Sequence, residues 1–127
     1  MVWPLVFTGG LTWKPVPWRG KMKVYEGYID VDGQMCLRVI GPDGLTQMLP
    51  KMPGTPGAGW GRRGNVGGTA FHIVMDAYED MGDEADGIAD GYYDDLMDKI
   101  LNTLDPDEGF KLDWNDVRSF IDKLREE

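Results

Sequence analysis

Between Asp76 and Asp98 the chain carries ten carboxylates and no Lys or Arg. Carboxylates this dense could serve general acid–base chemistry, which needs one of a pair buried with a raised pKa beside a reacting group. They could instead present an anionic surface to a basic partner, or simply solvate one face of the protein. The spacing speaks for a surface. Asp83, Asp86, Asp90, Asp94 and Asp98 follow at intervals of 3, 4, 4 and 4 residues, which puts all five on one face of a helix. Ala85, Ile88, Ala89, Tyr92, Tyr93, Leu96 and Ile100 form the apolar opposite register. The pattern predicts a helix from near Asp83 to about Leu104, stopped by Asp105-Pro106. Gly87 and Gly91 each weaken it by about 1 kcal/mol relative to Ala, so a later start near Asp90 is the alternative.

Local stability does not explain this choice of residues. Like charges four residues apart cost about 0.2–0.5 kcal/mol per pair. Eight of the ten acids are Asp, a poorer helix former than Glu. A row of carboxylates at ~6 Å intervals approaches the phosphate spacing of one nucleic-acid strand. The expected partner is therefore a basic protein surface of the kind that binds nucleic acid. The net charge of −9 is unevenly spread: residues 1–75 carry +4 and residues 76–127 carry −13. The acidic half argues against direct binding of nucleic acid, whose affinity rests on neutralising phosphates.

Other chemistry-bearing residues point nowhere as definite. Residues 50–68 hold seven Gly and three Pro, with Trp60, Arg62 and Arg63 in their midst. The loop leads to a helix expected to be capped by Thr69, where free N–H groups favour an anion. A P-loop would need Lys where Gly68 stands. A structural or partner-binding loop is the plainer expectation, with Trp60, Arg62 and Arg63 as contact residues. His72 is the only histidine and Ser119 the only serine, which leaves no zinc set and no nucleophilic triad. Cys36 lies mid-strand without a second cysteine. Residues 105–116 place acids as a calcium loop does at positions 1, 3 and 12. However, Phe110 stands where that loop needs Gly. No catalytic residue, metal or cofactor is expected.

The elements that must position these residues fit one α+β domain of 127 residues. Residues 1–20, rich in Trp and Pro, read as an extended arm. Residues 21–49 read as a three-stranded antiparallel meander turning at Asp32-Gly33 and Pro42-Asp43-Gly44. After the loop 50–68, residues 69–127 read as three helices. The first carries Ala70, Phe71, Val74, Ala77, Tyr78 and Met81, with Gly82 as its stop. The last runs from the cap Asp113 to about Arg125, with Trp114, Val117, Phe120, Ile121 and Leu124 on its apolar face. No run is long and apolar enough for a membrane helix, Met1 to Phe7 lacks a signal peptide's basic start, and the single cysteine suits a reducing compartment. A cytoplasmic setting in a host cell is expected.

Three pieces of the chain together suggest a family. Lys23-Val24-Tyr25-Glu26-Gly27 opens a hairpin, Trp60-Gly61 and the glycines after it precede a helix from Ala70, and Phe110 to Leu124 closes the chain. Over about residues 22–124 this resembles a family of small uncharacterised phage- and plasmid-borne domains. The resemblance implies a mobile-element accessory protein and carries over no catalytic residue. The function expected is non-enzymatic inhibition of a host defence complex, such as a CRISPR effector, by the acidic helix. A structural or self-assembling phage protein, with acids that only solubilise it, is the alternative.

Overall fold

A computed structural model describes residues 23–41, 46–48 and 57–126. The N-terminal arm, the turn at Pro42-Asp43-Gly44 and most of the Gly/Pro loop lie outside the described residues.

The class is α+β, with an antiparallel sheet and, among the described residues, three α-helices. β1 (Val24–Ile29) and β2 (Met35–Ile40) pair across the Asp32-Gly33 turn, and β3 (Thr46–Met48) adds to β2. Phe110–Asp113, next to the closing helix, is a further strand, β6, the last of six among the described residues; it joins the free side of β1 and makes the order β3-β2-β1-β6. Strand alternation turns Tyr25, Gly27, Leu37 and Val39 inward. Gly27 is required by this pairing, since a Cβ there would stand 2.2 Å from the Phe110 ring.

A small hairpin follows, of β4 (Gly59–Trp60) and β5 (Arg63–Gly64). Then α1 (Val66–Ala77) starts four residues before Ala70, where a Thr69 cap would begin it. Its cap is Asn65, whose Oδ1 accepts from the Gly68 amide at 3.0 Å. The pair Gly67-Gly68 therefore belongs to the first helical turn. A Cβ on Gly68 would lie 2.2 Å from the Asn65 side chain, so this cap needs the glycine. Thr69, freed from capping, is buried. Its hydroxyl donates to the Asn65 carbonyl and accepts from the Gly59 amide, both at 2.8 Å, fixing the hairpin to the helix.

Helix α1 ends at Ala77, short of the expected Met81. A 3-10 turn, Glu79–Met81, follows, and Gly82 closes it with φ of 63°. α2 (Glu84–Lys99) ends before the expected Leu104, and a second 3-10 turn covers Leu101–Thr103. α3 (Trp114–Arg125) begins at its expected cap, where Asp113 Oδ1 accepts from the Asp116 amide at 2.8 Å. The core lies between the inner sheet face and the helices. α1 is its centre, with Ala70, Ile73, Val74, Ala77 and Tyr78 buried against Leu96 of α2 and Val117 and Ile121 of α3.

Candidate partner-binding surface

The apolar register of α2 sets its orientation. Ala85, Ile88, Ala89 and Leu96 are buried, and Tyr92, Tyr93 and Ile100 pack against the core from its margin. Burial of this stripe leaves the opposite face to solvent. Asp83, Asp86, Asp90, Asp94 and Asp98 are all exposed. None of the five takes part in an ion pair or a side-chain hydrogen bond among the described residues. Asp83 stands at the N-cap of α2 and still makes no capping bond with its side chain. Along the helix axis the five carboxylates extend over about 22 Å, at 1.5 Å per residue.

Gly87 and Gly91 lie on the same exposed side, and a Cβ at either would meet nothing within 4 Å. No packing within the described residues asks for glycine at these places. The backbone of α2 is thus bare where the aspartates are densest, and another surface could approach it closely.

The acidic stretch is not uniform. Its first three acids are turned to internal use. Asp76 accepts from the Tyr25 hydroxyl at 2.8 Å and from Lys23 Nζ at 3.1 Å, and Lys23 also pairs with Glu79. Asp80 pairs with Arg118 at 3.0 Å. The Arg118 guanidinium lies 4.1 Å from the centre of the Tyr78 ring and 4.7 Å from that of Trp114. It donates to the Ala77 carbonyl at 3.0 Å. Trp114 Nε1 donates to the same carbonyl at 2.9 Å, so the open C-terminus of α1 is satisfied by α3. Tyr78 donates to Asp122 at 2.6 Å.

These contacts shift the groups involved. Burial pushes the Tyr25 hydroxyl far above its usual value, and the Asp76 charge adds to it. Burial and the bond to Asp122 push up Tyr78 likewise. Burial works against the Lys23 charge, but the bonds to Glu79 and Asp76 outweigh it and raise the Lys23 pKa.

The expected loop contacts separate on the structure. Trp60 is corrected from a contact residue to a core residue. It is 0% exposed, packs edge-on against Phe110 at 5.0 Å, and donates from Nε1 to the Glu108 carbonyl at 2.8 Å. A large apolar ring beside a strand that closes the sheet is worth more buried than exposed. Arg63 is exposed and pairs with Asp107 at 2.9 Å. Arg62 is exposed, has no ion pair among the described residues, and holds φ of 66°, a left-handed conformation that favours glycine. Its mounting is firm: the Gly61 amide donates to the Leu101 carbonyl at 2.8 Å, just beyond the end of α2.

Other weighed residues have local roles. His72 packs edge-on to Phe71, its Nε2 is buried without a partner among the described residues, and burial lowers its pKa. Within residues 105–116, Asp105 accepts from the Asp107 amide, Asp107 holds Arg63, and Asp113 caps α3. Among the described residues no group of three or more His, Cys, Asp or Glu is placed to hold a metal ion, and no helix is long and apolar enough to cross a membrane. Comparison with family models, with curated proteins and with solved structures finds no match to this chain.

Proposed function

We propose that this chain is a binding protein, not an enzyme, whose α2 enters a basic groove that another protein keeps for nucleic acid. One observation carries the reading. Five aspartates stand exposed along one face of α2 with no partner among the described residues, while the neighbouring acids Asp76, Glu79 and Asp80 are all paired. Carboxylates at ~6 Å intervals can meet a row of Lys or Arg side chains shaped for phosphates. The exposed glycines support the same reading, because a face that only keeps a protein in solution gains nothing from Gly at 87 and 91. Alanine would fit there and stabilise the helix by about 1 kcal/mol at each position.

The resemblance to mobile-element domains supplies a setting. There the partner is a host defence complex of the CRISPR-effector type, and occupation of its nucleic-acid channel inhibits it without catalysis. Arg62, mounted beside the end of α2, adds a contact of opposite sign.

Competition tests the reading. A partner held through this ridge is displaced by added nucleic acid, and its affinity falls steeply with salt. Binding indifferent to both would leave the aspartates as a solvated face and favour the structural alternative.

A further inference from the structure

Three Asp–Gly pairs fall within the described residues: Asp32–Gly33 in the turn between β1 and β2, and Asp86–Gly87 and Asp90–Gly91 in α2. Asp43–Gly44 lies outside them. In such a pair the glycine nitrogen can close on the preceding carboxyl carbon, since no side chain obstructs its approach. The surrounding backbone decides whether it does. In α2 the backbone is held at helical dihedrals by i to i−4 hydrogen bonds, and ring closure requires breaking them.

The turn is held more lightly. Asp32 and Gly33 are exposed, and Gly33 holds φ of 82° with nothing within 4 Å of where a Cβ would be. The Asp32 carboxylate has no partner among the described residues. The Gly33 amide donates at 3.0 Å to the Asp30 carbonyl. The Asp30 amide donates to the Gln34 carbonyl at 2.9 Å, and the Asp30 side chain holds the tip, its Oδ1 accepting from the Asp32 and Gln34 amides, each at 2.9 Å. Tips of this kind open locally at far lower free energy than helices packed on a core.

We propose that Asp32 is a site of spontaneous isoaspartate formation. The Gly33 nitrogen attacks Cγ of Asp32, and a C–N bond forms. The amide proton and the carboxyl hydroxyl leave as one water molecule, which gives a five-membered succinimide. Water then adds at the main-chain carbonyl of Asp32 and breaks its bond to the Gly33 nitrogen. The chain now runs through Cγ, and a free α-carboxylate remains. Composition is unchanged, and no oxidant or other co-reactant takes part. The inserted methylene displaces Gly33 and Gln34 from Asp30, so the change loosens the hairpin at the centre of the sheet.

The test incubates the intact chain for weeks near neutral pH at body temperature, then digests it and separates the peptides by chromatography and mass. The peptide holding Asp32–Gly33 splits into two species of equal mass. Isoaspartate there exceeds that at Asp86 or Asp90 by about tenfold, as a difference in local opening requires. Asp32→Glu keeps the charge but demands a six-membered ring, and it abolishes the split. Incubation in urea brings the α2 pairs up to the level of Asp32. Equal conversion of all three pairs in the folded chain overturns the proposal. So does an Asp32 that converts only in urea, or a split that persists in Asp32→Glu.

Discussion

Two acidic regions meet at Gly82. Before it, Asp76, Glu79 and Asp80 face Lys23, Tyr25 and Arg118 and tie α1 to the sheet and to α3. After it, Asp83, Asp86, Asp90, Asp94 and Asp98 face water and tie nothing among the described residues. The residue type is nearly the same, and what differs is the neighbour across the fold. The difference separates acids that serve stability from acids that weaken it slightly and have no partner among the described residues.

The largest expected effect lies in the paired region. Asp76→Ala strands the Tyr25 hydroxyl and leaves Lys23 only Glu79, and Arg118→Ala unpairs Asp80 and removes the cation from two rings. Each should cost about 2–4 kcal/mol in urea denaturation. A loss below half a kcal/mol in both would erase the distinction. On the ridge side the sign reverses. The double change Gly87→Ala with Gly91→Ala should stabilise the chain by about 2 kcal/mol and weaken partner binding, because methyl groups fill the bare backbone. Stabilisation with undiminished binding would show that nothing approaches the helix there.

Alkaline pH sharpens the contrast further. The Tyr25, Tyr78 and Lys23 pKa values are raised in the fold. The folded state then keeps protons that the unfolded chain releases, so their stabilisation is full below about pH 10 and is lost as pH rises beyond it. Tyr25→Phe should flatten that decline in a pH series of melting curves. His72 acts at the other end. Its pKa is lowered, so stability falls as pH drops below about 6.5, and His72→Gln should remove that component. Smallest of all, Asp86→Asn, Asp90→Asn and Asp94→Asn together should raise stability by about 0.5–1 kcal/mol at low salt, through relief of like-charge repulsion.

Local signals were legible in the chain, and distant partners were not. Asp113 and the run Trp114 to Leu124 specify α3 to the residue, because cap and apolar period agree. The stripe from Ala85 to Ile100 gave the buried face of α2 and, by exclusion, its exposed ridge. The start of α1 was hidden, since Gly67-Gly68 read as loop where the Asn65 cap needs a residue without Cβ. The division of the acids was hidden because Asp76 meets Lys23 across 53 positions and Tyr78 meets Asp122 across 44. Trp60 looked like a contact for the same reason: the Phe110 ring that buries it lies far along the chain, on a strand outside the expected meander.

Charge reversal on the ridge tests the proposed function most directly. Asp86→Lys, Asp90→Lys and Asp94→Lys together leave the paired junction untouched. The tagged wild-type chain should retain a nucleic-acid-binding protein from host lysate at low salt and release it as salt rises, while the triple variant, folded by circular dichroism, retains none. Retention of the same protein by both, with the same salt dependence, would contradict the account.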